Sequence, residues 1–475
     1  ELKYFRQRTL WLEDEIYRHF HVQCKDVPTG GSLRPEHHAL LSNTEQDPSR
    51  QLLSPDLTSP STQLHEAQDP LTPAGNAADI GMLALNATGE MRYLGPSSGA
   101  FFAAYASALA RSCISTQNLW NSPSDSQQTK VGGKMDMGAA SNLDRLLAGD
   151  ISLFLQSYKM WIMPLYPILD SNDLDMLVAR YNEGVEAHSS DSDRGLEKST
   201  ELMLFYLVMA LGAINDANTI KQMRTLPQQE KPLDLSSPRP SPVSLCTRAL
   251  QLIDYNSQRL HPSITFIQVI VLISIYSSYG PIGSSQWQLA GFAMRMAIET
   301  GLHCTPKENN PTDWAKDQRN RLFWTIYAIE ISLAYNLGRP PSIGEEHIAA
   351  ELPTPTNENI SSLHHVRHRQ IQSRVVTQVY GINNRTRRMT AEQRRIFISS
   401  LQQELDEWRA NIPVNPQSHA AHPYSYSYWD RLYHGTTFVL HRSSPLCPNP
   451  PAQSLERCIR SAGNYIDERG QGCAN

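Results

Sequence analysis

Along most of the chain, apolar residues return every three or four positions, and the longest of these stripes predict helices. Trp287, Ala290, Met294, Ala297 and Gly301 keep that step and fall on one face. Ser285 and Gln288 have the spacing of a capping box at the start of this helix, and Gly301 suits a left-handed stop at its end. Leu322, Ile326, Ile329, Leu333 and Leu337 form a second stripe. Gly338 closes it, and Pro340 and Pro341 forbid continuation. Leu401, Leu405, Trp408 and Ile412 repeat the pattern before Pro413. The runs Met203–Ile214 and Phe266–Tyr276 are apolar on every side and read as buried helices. Both fall short of the roughly 20 residues needed to span a bilayer. Strand-like alternation is scarce, and no internal repeat or βαβ rhythm emerges. The pattern predicts an all-α fold from about Ile80 onward.

Upstream the pattern changes. Leu2, Phe5, Thr9, Leu12 and Ile16 fall at heptad spacing, so residues 1–20 predict a short amphipathic, coiled-coil-like helix. From Asp26 to Asn76, Pro28, Pro35, Pro48, Pro55, Pro60, Pro70 and Pro73 sit among Ser, Thr, Gln and Asp. Such a segment buries too little apolar area to offset chain entropy, and residues 21–76 are expected to be a disordered linker. Asn121–Lys134, Glu186–Lys198 and Gln222–Pro242 read as polar loops within the folded part.

Composition narrows the function classes. A chain of 475 residues, 40% hydrophobic, can build a large core and two or three domains. The net charge of −5 does not suit a polyanion binder, which normally carries a basic patch. Cys24, Cys113, Cys246, Cys304, Cys447, Cys458 and Cys473 are scattered and never form CxxC, which argues against a disulfide scaffold and fits a reducing compartment. No secretory signal pattern opens the chain. It begins at Glu1 rather than Met, so Glu1 is expected not to be the natural start.

Candidate chemistry is sparse. GPSSG at Gly95–Gly99 has the form of a nucleophile elbow, follows the strand-like MRYL and precedes a helical run. An elbow needs a parallel sheet, and none can be drawn, so Ser97 or Ser98 reads as a helix cap. His364, His365 and His368 spell HHxxH, but His365 stands where a zinc hydrolase places its Glu. With Arg367 and Arg369 interleaved, a solvated His/Arg face is expected. Arg385, Arg387, Arg388, Arg394 and Arg395 form a basic cluster, either an import signal or an exposed loop leading into a helix. The acidic pairs Asp173/Asp175 and Glu345/Glu346 do not make the DDxxD of all-α prenyl-diphosphate enzymes. There is no P-loop and no GxGxxG. Trp287, Phe323, Trp324, Tyr327 and Tyr335 read as core aromatics, with a pocket between helices left open.

The order of these segments resembles the regulatory ("middle homology") region of fungal zinc-cluster transcription factors. ELKYFRQRTLWLEDEI is similar to the short coiled coil that follows the zinc cluster in that family, and GEMRYLGPSSGAFF to its G-x-x-R-Y-x-G-x-S-S entry element. MPLYPILDSNDL, LVMALGAI, PSITFIQVIVLISIY, AMRMAIETGLH, RLFWTIYAIE, LGRPPSI, LQQELDEWRANIP and VLHRSSPL follow in family order. The signature positions carried by these segments are Gly95, Ser97, Ser98, Gln268, Trp287, Arg295, Gly301, Leu302, His303, Arg321, Phe323, Trp324, Gly338, Arg339, Pro340, Trp408, His441 and Arg442, and they are expected to be mainly structural. Two departures stand out. Glu330 and Ile331 replace the usual Asp-Arg, and HRSSPL disrupts HRPxL.

The resemblance implies three parts. These are a dimerisation helix at 1–20, the linker at 21–76 and a helical regulatory domain at 77–475, expected to be incomplete at its C-terminus because GQGCAN does not look like a packed helix. It also implies a nuclear regulator of RNA polymerase II transcription that is not an enzyme. The implied partners are a second copy of the chain, promoter DNA through a zinc cluster, and a small-molecule or protein effector, with no membrane. The cluster's six close-set cysteines are not in this sequence, so no catalytic, metal or DNA-binding residue is assigned, and zinc is expected only if such a cluster lies upstream. An all-α small-molecule sensor without DNA contact and an all-α enzyme are the alternative readings.

Overall fold

The computed structural model describes residues 82–85, 91–99, 146–186, 195–225, 239–256, 263–280, 285–305, 313–381, 389–413 and 424–473, all within one compact unit, Thr72–Asn475. The expected helix at 1–20, the linker at 21–76 and the loop at 121–134 lie outside the described residues. What is described is all-α apart from one small hairpin. Its strands are β1 (Met82–Leu85) and β2 (Met91–Leu94), paired antiparallel with Met82 opposite Leu94 and Leu85 opposite Met91. The strand-like MRYL is thus a real strand, without the parallel sheet that an elbow would need.

Twelve α-helices follow among the described residues. The first eight are α1 (Ala148–Trp161), α2 (Ser171–Glu186), α3 (Gly195–Ile214), α4 (Asp216–Thr225), α5 (Pro242–Asn256), α6 (Ile264–Tyr276), α7 (Gln286–Glu299) and α8 (Asp313–Leu337). The last four are α9 (Ile360–Arg374), α10 (Ala391–Ala410), α11 (Tyr426–His441) and α12 (Ala452–Cys473). Two expected loops are shorter than their composition suggested. Helix α2 runs to Glu186 and α3 restarts at Gly195, while α4 extends through Thr225. The tail is helical to Cys473, since adding turns to a formed helix costs far less than starting one.

The apolar runs account for the packing. Met203–Ala213 on α3 and Phe266–Tyr276 on α6 are buried all round. Helix α3 therefore sits in the middle of the first half, against α1, α2, α5 and α6. From α6 onward each helix packs on the next, α6 on α7, then α8, α9, α10, α11 and α12. Side chains of α1–α8 build one large core. Two smaller cores lie in the second half. One joins Tyr335 to Val375, Val379, Leu401 and Leu440, and the other joins Leu165 and Ile371 to Leu405, Trp408 and Trp429. Among the described residues no single helix is long and apolar enough to cross a membrane.

The ends of the helices follow the local chemistry. Ser263 caps α6 through Phe266 N–H, and Ser285 with Gln288 forms the expected capping box on α7. Thr390 with Gln393 forms a second box on α10. At the end of α7, Gly301 adopts φ +67°, and its neighbours close a Schellman motif through Leu302 N–H to Ala297 O (2.8 Å) and Gly301 N–H to Ile298 O (3.0 Å). Gly338 adopts φ +68° after α8, with Arg339 N–H bound to Ala334 O at 2.9 Å. A single π-helical turn, Val375–Val379, extends α9 and is closed by Tyr380 N–H to Val375 O (3.1 Å).

Candidate functional site

Two clusters gather several of the singled-out residues. The first is built on the end of α8. A helix leaves its last carbonyls without intrahelical donors, and here GPSSG supplies them. Gly95 N–H donates to Leu337 O (2.9 Å) and Ser97 Oγ–H to Tyr335 O (3.1 Å). Ser97 is buried and its hydroxyl is committed to a backbone carbonyl, which is the opposite of an exposed nucleophile. Ser98 N–H turns back to Gly95 O (3.0 Å), while the body of the helix it was expected to cap lies outside the described residues.

Arg442, at the end of α11, holds the other side of the same loop. Its Nη2–H groups reach Ser97 O (2.7 Å) and Pro96 O (3.2 Å), and its Nε–H reaches the Tyr380 hydroxyl (2.8 Å). Arg339 donates from Nε to Tyr93 O (3.1 Å) and lies over the Trp287 ring at 4.5 Å. The structure thus brings together Gly95, Ser97, Trp287, Gly338, Arg339 and Arg442. Pro340 is exposed beside them, and Arg295 stands exposed on α7.

The remaining signature positions are distributed over the frame. Gln268 donates to Ile168 O (3.2 Å), and the backbone of His303 accepts from Ala349 and Ala350 N–H. Leu302 and Phe323 are buried in the main core, and Trp324 Nε1–H donates to Glu351 O (2.8 Å). Arg321 pairs with Asp170 (3.1 Å) and Asp317 (3.4 Å). Burial alone would raise the Asp170 carboxyl, but the Asp173 N–H, Arg321 and Trp314 outweigh it and hold the group below the usual carboxylate range. Beside Ile331, the carboxyl of Glu330 is 1% exposed and accepts from Ser342 N–H (2.8 Å) and Ser342 Oγ–H (2.9 Å). Burial pushes it above the usual range. His441, which meets Gln402 Oε1 at 3.0 Å, is pushed down to about 4 by burial.

The second cluster corrects the expectation of a solvated His/Arg face. His364, His365, His368 and Arg369 are 4%, 1%, 0% and 7% exposed, and of this run only Arg367 faces solvent. The cause lies on other helices. Trp408 of α10 stacks on His364 at 4.5 Å and lies tilted on His368 at 4.5 Å, while Trp429 of α11 meets His364 edge-on at 5.0 Å. Trp408 Nε1–H donates to His364 O (2.8 Å). Burial and the neighbouring Arg367 charge push His364 down to about 4, and burial holds His365 and His368 well below the usual range. These imidazoles are neutral packing groups. Among the described residues no three His, Cys, Asp or Glu side chains are placed to hold a metal ion.

Of the other motifs, Asp173 is buried and exchanges hydrogen bonds with Asp170, whereas Asp175 faces Lys159 at 3.5 Å. Glu345 accepts from Tyr327 Oη–H (3.2 Å). Of the basic cluster, Arg395 pairs with Glu392 on the surface (2.6 Å), and Arg385, Arg387 and Arg388 lie outside the described residues. Tyr380, Gln372, Thr436 and Tyr428, which complete the two clusters, carry no sequence motif of their own.

Residues 155–410, more than half of the chain, match the family described as "Fungal specific transcription factor domain". Protein STB5 of Saccharomyces cerevisiae is 24% identical over 358 residues, covering 68% of this chain and 45% of that protein. The negative regulator of pleiotropic drug resistance STB5 of Candida glabrata is 32% identical over 152 residues, covering 30% of this chain and 15% of that protein. The positive regulator of purine utilization of Emericella nidulans is 22% identical over 340 residues, covering 58% and 31%. The chain spans less than half the length of each of these relatives. No solved structure matches it. The chain belongs to the fungal specific transcription factor domain family, a family of fungal transcriptional regulators.

Proposed function

We propose that this chain is the regulatory part of a fungal transcription factor that works in the nucleus on RNA polymerase II promoters. The match of residues 155–410 to the family carries this reading, and two relatives, one named as a negative regulator of pleiotropic drug resistance and one as a positive regulator of purine utilization, support it. In this reading residues 77–475 form the regulatory domain and residues 1–20 serve a homodimer. Promoter contact is made through a zinc cluster that the present sequence does not include. The chain acts without catalysis, by a change of helix packing that a small-molecule effector biases.

The signature residues act as frame. Gly95, Ser97 and Arg442 tie the entry loop to the end of α8 and to α11, so a shift of either helix is felt by the other. The test is a fusion of the full chain to a heterologous DNA-binding domain, read by a reporter. Weak or conditional output is expected, and strong unconditional activation would overturn the regulatory reading.

A further inference from the structure

Helix α12 lies on α11 by one face. Cys458 Sγ meets Phe438 O at 3.6 Å, Asn464 Nδ2 meets His434 Nε2 at 3.4 Å, and a Cβ built on Gly435 would lie 3.4 Å from the Tyr465 ring. Cys458 and Ser461 are buried on this side. A second apolar face runs along the same helix. Leu455, Ile459, Ala462 and Ile466 recur at steps of four, three and four, so they form one row. Leu455 is 44% exposed, Ile459 72% and Ile466 67%. The two isoleucines are the most exposed large apolar side chains among the described residues, and they stand two turns apart on one helix. Single apolar residues scattered over a surface need no explanation, but an ordered row of them does.

A glycine in the middle of the row points the same way. Gly463 is exposed, and a Cβ built on it meets nothing within 4 Å among the described residues. Glycine weakens a helix interior relative to alanine, and it serves where another group must approach the backbone closely. Ala462 and Gly463 together leave a notch between Ile459 and Ile466 where a second helix can come near.

The row is symmetric about that notch. A two-fold axis between residues 462 and 463 sets Ile459 of one copy on Ile466 of another, with the two notches back to back. The edge of the row fits the same operation. Glu456 and Arg460 lie along it and bond each other at 2.6 Å, so this pair presents no net charge to its own image. Residue 467, an aspartate, continues that edge at helical spacing. In the two-fold register it falls within about 3 Å, along the helix axis, of residue 460 of the other copy. Arg460 then has two acids for neighbours, one from each copy.

We propose that the outer face of α12 is an interface for a second copy of this chain, packed antiparallel across a two-fold axis at Ala462 and Gly463. Leu455, Ile459 and Ile466 leave water there. The contact uses one helix from each copy, so it is weak alone and gains from any other tie between the copies. It is distinct from residues 1–20, to which the reading above gives the homodimer, and does not depend on them.

Disulfide trapping in the full chain tests the arrangement, because it reads orientation. Ile459→Cys and Ile466→Cys are made separately and oxidised as a mixture. The joined peptides are then identified by mass spectrometry, which sets them apart from bonds through the native cysteines. The bond between residues 459 and 466 should exceed the 459–459 and 466–466 bonds about tenfold, because those like pairs stand about 10 Å apart along the axis, beyond the roughly 7 Å that a disulfide bridges. Gly463→Leu fills the notch. It should abolish the mixed bond while the melting temperature is kept or raised, since the new side chain faces open space and a helix glycine is removed.

The same mixture is oxidised in chains that also carry Leu2→Asp and Leu12→Asp. A mixed bond that persists shows the α12 contact to be self-sufficient, and one that fades shows it to follow a dimer through residues 1–20; both support the interface. Equal yields of the three bonds, like bonds in excess, no bond between copies of the otherwise unaltered chain, or a mixed bond indifferent to Gly463→Leu would each overturn it.

Discussion

Gly95 and Gly338 meet backbone against backbone. A Cβ built on Gly95 falls on the carbonyl oxygen of Gly338, and a Cβ built on Gly338 falls on the carbonyl group of Gly95. The Gly95 N–H bound to Leu337 O fixes this approach, and Gly338 also takes φ +68° to let the chain leave α8. Two signature glycines are thus explained by one contact, which neither position could make with a side chain.

Gly338→Val should therefore destabilise the protein more than Arg339→Ala. The valine meets both a left-handed backbone and a collision with Gly95, at a cost on the order of 3 kcal/mol or more. The alanine loses the contact over Trp287 and one hydrogen bond to Tyr93 O, together about 1 kcal/mol. Thermal melts of the two variants decide the order, and equal melting temperatures would refute it.

Glu330→Gln should keep the fold and alter its pH response. The folded carboxyl titrates above its unfolded value because burial disfavours the charge, so the folded state holds this proton more tightly. Its contribution to stability falls as pH rises from the unfolded value through the folded one. The glutamine can still accept from Ser342 and does not titrate. The variant's melting temperature should gain on the wild type as pH rises above about 4.5, the ordinary value of a Glu carboxyl. A constant difference would show that Glu330 is not held neutral.

The buried histidines should weaken the fold in acid. His364 titrates at about 4 when folded and near 6.5 when unfolded, so the unfolded chain binds the proton first as pH falls through this window. Stability from this group is complete above the unfolded value and is lost on acidification. His364→Phe, which keeps a ring on Trp408, should melt with a shallower fall between pH 6.5 and 4. Parallel curves would count against the prediction.

Cysteine labelling should follow burial. Cys246 is enclosed, and burial pushes its thiol up to about 12, whereas Cys304 is exposed. Iodoacetamide at mildly alkaline pH should modify Cys304 in the native protein and Cys246 only after denaturant, as peptide mass spectrometry can read. Early loss of the Cys246 peptide would mean that α5 opens readily.

Substitutions in the core between Trp287 and Leu337, such as Ile326→Val, should make the output of the full-chain fusion constitutive at modest cost, about 0.5–1.5 kcal/mol. Such changes loosen the α7–α8 packing without unfolding it. Variants that only abolish the output would point to simple unfolding and against a packing change that controls it.

What could be read in the sequence was local. The Ser285–Gln288 box, the stop at Gly301 and the stop at Gly338 each depend on residues a few positions apart, and each is found in place. The all-α class followed from stripes such as Leu322 to Leu337, which repeat over several turns. The fate of His364, His365 and Arg369 was not readable. Their own helix gives no sign of burial, because Trp408 and Trp429 cover them from α10 and α11. The same holds for Ser97. Its motif is visible, but its partner, the Tyr335 carbonyl, is a backbone atom that no motif marks.

The clamp of Arg442 on Ser97 also sets a clock. The two residues are 345 positions apart, so on the ribosome Ser97 emerges well before its partner exists. At roughly 5–20 residues per second, the wait is about 17–70 s. In the last part of that interval, after Leu337 has been made, the end of α8 has GPSSG as its cover but nothing to lock it. The first-half helices must hold their shape without this contact, which closes only once Arg442 has been made.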